Sequence, residues 1–284
     1  MNFGTIGFLG AGNMADAMIR GLVGRGLVSA SSILASAPRP ARAVELRERW
    51  SVEVTHDNRE VASRADLLVL SVKPQILLPV LDGLGDSVRE GTLVVSVAAG
   101  VPTSAIEARL GGRARVVRAM PNTAVLVEAG ATAIAAGRHA TEADLERVRA
   151  VFDAIGLTAV VDEGQLDAVT GLSGSGPAYV MLMLEALSDG GVRAGLPRRV
   201  SQLLAAQTLL GAARLVLETG THPAQLREMV TSPGGTAITG LHLLEEAGVR
   251  GAIISAVAGA AERSRELGKR FDVRVEPDGE RADA

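Results

Sequence analysis

Cysteine is absent from this 284-residue sequence, which excludes disulfides, thiolate nucleophiles and thiolate-bound metals but says nothing positive about redox compartment. Aromatic residues are scarce. One Trp, one Tyr and four Phe are too few for platforms on which bases stack. Excess basic charge is missing too: the net charge is −3 with 47% hydrophobic residues, an ordinary globular profile with nothing that attracts nucleic acid. Met1 leads directly into an apolar run, with no basic region or cleavage site, so no signal peptide is expected. The longest apolar runs are broken by charges or glycines well short of a bilayer span, so no membrane partner is expected and the cytoplasm is the expected location. The four histidines, His56, His139, His222 and His242, stand in no recognisable catalytic turn, and no metal site is expected.

The length allows one large or two ordinary domains with sizeable cores. In the first half, short apolar runs alternate with helical patterns. Thr5–Leu9, Ser32–Ala35, Asp66–Ser71, Leu93–Val97, Val116–Arg118, Thr132–Ala135 and Leu157–Val161 read as strands. Met14–Leu22, Ala41–Trp50 and Pro102–Leu110 read as helices. That alternation predicts an α/β domain over residues 1–161, a doubly wound, mostly parallel sheet covered on both faces. From about Asp162 the strand signal stops. Tyr179–Ala194, Arg198–Glu218, Thr236–Ala247 and Arg250–Leu267 read as helices, with turns at Gly171–Pro177, Gly195–Pro197 and Ser232–Gly235, which predicts an all-helical domain over 162–284. Two of these helices, around "YVMLMLEAL" and "AIISAVAGAA", are apolar around nearly their whole circumference, and a subunit interface is the expected outlet. The last residues, "DVRVEPDGERADA", read as a frayed polar tail.

The opening run "TIGFLGAGNMADAMIRG" places Gly10-Ala11-Gly12 between a strand and a helix, with Ala15 as the third small residue. Gly10 allows a tight turn, Gly12 lets a pyrophosphate approach the N–H groups at the positive helix end, and Ala15 keeps helix and strand close: the pattern of a dinucleotide site. The end of the second strand bears on which dinucleotide. A site for NADH wants a carboxylate there for the ribose 2′-OH. "LASAPRP" offers Ser36, Ala37 and Arg39 instead, and no carboxylate before Glu45. A hydroxyl and a guanidinium suit a 2′-phosphate, so NADPH is the expected cofactor and NADH the lesser possibility; the plainer alternative makes Arg39 a solvated loop cation.

Further along, "LLVLSVKPQ" and "VSVAAGV" put Ser71, Lys73 and Pro74, then Ala98, Ala99 and Gly100, at the carboxyl ends of strands beside the same crevice. Small residues there leave room for a flat nicotinamide ring. "RAMPNTA" adds Asn122 and Thr123. A base for an alcohol proton is missing. "GLSGSGPAYV" carries no Lys on the first turns of its helix, whereas the related β-hydroxyacid dehydrogenase folds place one after a similar stretch. An imine needs no such base, because a protonated C=N bond accepts hydride directly. In "TSPGGTAITGLHLLEEAG", free N–H groups of Gly234, Gly235 and Thr236 ahead of a helix would form a nest for a carboxylate, with Thr231 or Ser232 adding a hydroxyl; an ordinary helix cap is the alternative.

"GFLGAGNMA", "LSVKPQ", "AAGV", "GLSGSGPAYV", "DGGVRAGLPRR" and "VTSPGGTAI" occur in this order between about Thr5 and Leu267, and together they closely resemble the Δ1-pyrroline-5-carboxylate reductases. The resemblance implies NAD(P)H-dependent reduction of the cyclic imine pyrroline-5-carboxylate to L-proline. It also implies a Rossmann domain, a helical domain interleaved with that of a partner subunit, and a homodimer or higher assembly such as a decamer. Carried over by position, Leu9, Gly10, Ala11, Gly12, Asn13 and Met14 match the cofactor fingerprint, Ser36 and Ala37 the 2′-phosphate loop, and Asn58 an adenosine-ribose contact. Ser71, Val72, Lys73, Pro74, Ala98, Ala99 and Gly100 match the nicotinamide side. Thr231, Ser232, Gly234, Gly235, Thr236 and Ala237 match the substrate-carboxylate loop. One departure matters: many members carry a second hydroxyl where this chain has Ala237, and that hydroxyl is a candidate proton donor to the imine nitrogen. Thr236, a water, or an imine that arrives protonated then remain as the proton source. Two alternatives stay open, a reductase of a different cyclic imino acid and a cofactor-binding sensor without turnover.

Overall fold

The computed structural model describes residues 3–112 and 114–271; the polar tail read above as frayed, 272–284, lies outside the described residues. The strands are β1 (Ile6–Leu9), β2 (Ile33–Ser36), β3 (Glu53–Thr55), β4 (Leu67–Leu70), β5 (Leu93–Ser96), β6 (Arg115–Met120), β7 (Gly130–Ala136) and β8 (Gly156–Val160). The helices are α1 (Asn13–Gly24), α2 (Pro40–Trp50), α3 (Asn58–Arg64), α4 (Pro74–Leu84), α5 (Thr103–Arg109), α6 (Glu142–Asp153), α7 (Leu166–Val169), α8 (Gly176–Arg193), α9 (Arg198–Thr219), α10 (Pro223–Met229), α11 (Thr236–Glu246) and α12 (Val249–Gly268).

All eight strands join one sheet in the order β3-β2-β1-β4-β5-β6-β7-β8. Every pair is parallel except β6 with β7. This is the Rossmann-type doubly wound sheet expected from the alternating pattern, with helices following it. The strand order reverses between β1 and β4, where such sheets leave a crevice at the carboxyl ends of their strands. Register aligns Ser36, Leu9, Leu70 and Ser96 across neighbouring strands, so the segments that follow them leave from one edge.

Strands β1, β2, β4 and β5 are buried at every position because helices cover both faces. Ile6 and Phe8 of β1 enter one cluster with Met18 and Leu22 of α1 and Phe152 of α6. Leu9 joins a second cluster with Leu68, Leu77 and Ile106 on the other face. Two-faced burial explains why these strands read as unbroken apolar runs. Each such side chain contributes roughly 1.5–3 kcal/mol when fully buried.

Every expected strand is present. The additional elements are β3, α3, α4, α6, α7 and α10. The Gly171–Pro177 segment, expected to be a turn, is helical instead: α7 passes through a π-helical turn, Thr170–Gly174, toward α8. Pro177 is tolerated there because it lies in the first turn of α8, where its missing N–H is not needed.

The chain forms two compact units, one made of the stretch through Gly174 together with the stretch from Ala260, the other Ser175–Gly259. Within the second unit the helices leave their apolar faces open. Of its residues α8 buries only Ser188, α9 only Ser201 and Ala205, and α11 none. Met181, Leu182, Leu203 and Leu217 are each 60% or more exposed. Among the described residues, α9 alone is long and apolar enough to cross a membrane by length and composition, with a mean hydropathy of 1.4. That corrects the expectation that apolar stretches stop well short of a span. Gln202, Gln207 and Arg214 interrupt the run in sequence without lowering its average enough.

Candidate functional site

The turn after β1 is built by exclusion. Gly10 has φ +92, and a Cβ there would stand 2.7 Å from Val72 Cγ1 and 3.1 Å from the Ser71 carbonyl. Only glycine fits. Gly12 is the N-cap of α1, no side chain caps the helix, and a Cβ on Gly12 would meet nothing within 4 Å. The first N–H groups of α1 therefore face open space at the positive end of a helix dipole, an arrangement that holds a phosphate. Ala15 is fully buried where helix and sheet approach. Leu9 and Ala11 are buried as well, so they offer a ligand backbone rather than side chains, while Asn13 is exposed.

Side chains from three other segments knit this turn. Ser71 Oγ shares its proton between the carbonyls of Gly10 (2.7 Å) and Leu9 (3.1 Å). Ser36 Oγ accepts the Gly10 N–H at 3.2 Å, and the Ser36 carbonyl accepts the Ala11 N–H at 3.0 Å. Ser36 is only 2% exposed. Its hydroxyl thus faces the turn, and the expectation that it meets a 2′-phosphate is corrected: in a parallel strand next to β1, the last side chain on that face points at the glycine loop. Ala37 is buried too; its N–H goes to the Thr55 carbonyl and its carbonyl accepts from His56 Nδ1 at 2.7 Å, which fixes the proton on that nitrogen.

Arg39 remains as the cation at this corner. It is the exposed N-cap residue of α2, and its side chain makes no hydrogen bond or ion pair among the described residues. Asn58 is the first residue of α3, whose N-cap Asp57 accepts from the Arg59 N–H at 2.8 Å.

Arg42 escaped the sequence reading. Its Nε donates to the Ala11 carbonyl at 2.8 Å and its Nη2 to the Gly12 carbonyl at 3.4 Å. Asp16 and Glu45 flank the guanidinium at 3.8 and 2.6 Å. By holding two carbonyls of the turn, Arg42 leaves the N–H side free. The signal was a basic residue in the first turn of a helix, where the dipole disfavours it.

On the neighbouring strands, Val72 lies half-buried under Gly10, Lys73 is the exposed N-cap of α4, and Pro74 is its first residue. Beyond β5, Ala98 is buried with its N–H near Ser96 Oγ (3.3 Å), Ala99 is exposed, and Gly100 is buried with φ +76. Farther on, the Glu163 carboxylate receives the Thr103 N–H (2.7 Å), the Thr103 hydroxyl (2.6 Å) and Arg118 Nη1 (3.3 Å), which anchors the chain after Gly100. Asn122 is a structural cap: its Oδ1 accepts from the N–H groups of Ala124 and Ala131, both at 3.2 Å.

In the helical unit, the loop before α11 carries a second cluster of donors. Gly235 is the N-cap of α11 and Thr236 its first residue, again with no side-chain cap. The expected trio of free N–H groups loses one member, because the Gly235 N–H closes onto the Ser232 carbonyl at 3.0 Å. Thr231 is also withdrawn as a donor: its hydroxyl gives its proton to the Arg227 carbonyl at 2.6 Å. The N–H groups of Gly234 and Thr236 and the hydroxyls of Ser232 and Thr236 have no partner among the described residues, and Ser232, Gly234 and Thr236 are exposed. A Cβ on Gly235 would collide with Ser232 Oγ. Ala237 offers no polar group. Of the histidines, His222 caps α10 through Nδ1 and His242 pairs with Glu246 on the surface of α11.

Comparison with known proteins gives two family matches. Residues 163–267 match the family described as pyrroline-5-carboxylate reductase dimerisation, and residues 5–100 match that described as NADP oxidoreductase coenzyme F420-dependent. The chain is 47% identical to the pyrroline-5-carboxylate reductase of Methanosarcina acetivorans over 265 residues, 93% of this chain and 98% of that one. A solved pyrroline-5-carboxylate reductase from Coxiella burnetii matches with a TM-score of 0.90 at 40% identity, covering 94% of this chain and 99% of that one. The pyrroline carboxylate reductase of Plasmodium falciparum, solved with NADP bound, matches with a TM-score of 0.83 at 29% identity, covering 94% and 99%.

Proposed function

The chain belongs to the pyrroline-5-carboxylate reductase family, and from that premise we propose that it reduces 1-pyrroline-5-carboxylate to L-proline with NADPH, the last step of proline biosynthesis. The observation that carries the cofactor half is the uncapped start of α1 behind Gly10, with open space over Gly12 and an exposed Arg39 at the neighbouring strand end. These features fit a dinucleotide phosphate. The N–H groups around Gly12, Asn13 and Met14 hold the pyrophosphate, and Arg39 pairs with the 2′-phosphate as a charge-assisted donor. Asn58 reaches the adenosine ribose. Ser71–Pro74 and Ala98–Gly100 flank the nicotinamide. When bound, NADPH supplies the hydride that reduces the imine carbon.

The chain's own residues then bind, orient and protonate. Gly234 and Thr236 N–H groups, with the Ser232 hydroxyl, hold the substrate carboxylate. With the Ser232 hydroxyl on the carboxylate and no polar group at Ala237, the Thr236 hydroxyl is the side-chain donor left for the imine nitrogen. Residues 1–161 serve the cofactor, and residues 162–284 serve subunit contact and substrate. The exposed apolar faces of α8 and α9 support a homodimer, with a decamer as the larger assembly, and a cytoplasmic location belongs to the same reading. The test is NADPH oxidation followed by absorbance with pyrroline-5-carboxylate and with its six-membered homologue. Turnover of the five-membered ring supports the proposal. Preference for the larger ring replaces the substrate, and cofactor binding without turnover of either ring overturns it.

A further inference from the structure

Resting on the reading of Ala98–Gly100 as the nicotinamide-side loop, we infer that Gly268, at the far end of α12, is a positioning residue for that loop. The two backbones meet directly. A Cβ on Gly268 would stand 3.1 Å from the Gly100 carbonyl oxygen, and a Cβ on Gly100 would stand 3.6 Å from the Gly268 Cα. Nothing in the backbone of Gly268 calls for glycine: its φ lies outside the left-handed region where Gly100 sits. Alanine is the better helix former there. Close approach to Gly100 is what the residue provides.

An added methyl presses on the Gly100 carbonyl, because the helix end is itself held from several sides. Ser264 Oγ donates to Asp167 Oδ1 at 2.5 Å, Ala261 is buried, and Phe271 packs against the cluster that contains Ala98, Val101 and Ile106. The give in the loop is confined to its middle. Between the buried Ala98 and the fully buried Val101, Ala99 is exposed, and Gly100 is buried against Gly268. A push on the Gly100 carbonyl shifts Ala99 with it. Hydride transfer is steeply sensitive to such shifts.

The test is single-turnover reduction of pyrroline-5-carboxylate by NADPH and by its 4-deuterated form, using Gly268→Ala and Gly268→Val in the full chain. We expect hydride transfer slowed about 3- to 10-fold for Ala and about 100-fold for Val, with an altered deuterium isotope effect. The thermal midpoint of the Ala variant stays at or above that of the parent. Gly83→Ala in α4, where a Cβ meets nothing within 4 Å, reports the bare effect of replacing a helical glycine and leaves the rate unchanged. Ala99→Leu separates the two layers of the reading. If it transfers hydride at the parental rate, Ala98–Gly100 does not face the nicotinamide and the site reading falls. If it is slowed while Gly268→Ala and Gly268→Val are not, the inference about Gly268 alone falls. Should the Val variant fail to fold, the Ala variant decides.

Discussion

Two residues at the end of β2 carry hydrogen-bonding groups, and the structure gives them opposite fates. Ser36 turns inward to the Gly10 N–H, whereas Arg39 stands free in solvent. Ser36→Ala removes the acceptor of a part-buried amide. Leaving such a group unpaired costs about 1–3 kcal/mol of stability. In a chain of this size that lowers the melting temperature by roughly 2–4 °C per kcal/mol. Choice between cofactors is untouched, because the hydroxyl faces the glycine turn. Arg39→Asp does the reverse. It removes a charge-assisted contact worth about 1–3 kcal/mol and puts a repelling charge in its place, so the ratio of kcat/KM for NADPH over NADH falls about 5- to 150-fold. Salt screens an exposed cation, so the parental ratio shrinks as ionic strength rises. Steady-state kinetics with both cofactors in one buffer, beside thermal melts, reads all of this. If Arg39→Asp leaves the ratio at its parental value, the assignment to Arg39 is refuted; if Ser36→Ala lowers the ratio, the inward hydrogen bond is not the role of that hydroxyl.

The substrate loop makes a similar contrast: Ser232→Ala raises KM for pyrroline-5-carboxylate, while Thr231→Val leaves it unchanged, since the Thr231 hydroxyl is committed to Arg227. Gly235→Val, whose side chain collides with Ser232 Oγ, raises that KM by roughly tenfold or more; an unchanged KM would remove the loop from carboxylate binding. If Thr236 is the proton donor, Thr236→Ala lowers kcat most at high pH, where the free imine is unprotonated; a parental kcat at every pH assigns the proton to water or solution. Light scattering at micromolar concentration shows a dimer or larger species, and a stable, active monomer would contradict the role given to the open faces of α8 and α9.

The sheet was legible because its strands are buried on both faces and so appear as short apolar blocks, each ended by a turn signal. β3 escaped because its three residues, Glu53–Thr55, include only one fully buried side chain and form no block. α4 was hidden by Pro74 and Pro79, although the first occupies a helix start. The capping box of Thr141 and Asp144 announced α6 and went unread. At the site, residue types and spacing located the turn and the glycine loop but not the direction in which hydroxyls point. Ser36 and Thr231 both have the right chemistry and both bond inward, Ser36 to the Gly10 N–H and Thr231 to the Arg227 carbonyl four residues earlier in the chain. Arg42 acts across 30 and 31 residues of sequence, a separation that local patterns do not register.

The hydrogen bonds around Gly10 also have an entropic meaning. Ser36, Ser71 and Arg42 between them engage the N–H groups of Gly10 and Ala11 and the carbonyls of Leu9, Gly10, Ala11 and Gly12. Fixing a backbone costs about 1–2 kcal/mol per residue in lost freedom. Here that loss falls on folding and not on cofactor capture. A turn already frozen in its binding form meets each incoming NADPH without rearrangement and stays in place when NADP+ departs. Amide exchange at Gly10 and Ala11 is accordingly slow before the cofactor arrives and changes little afterwards.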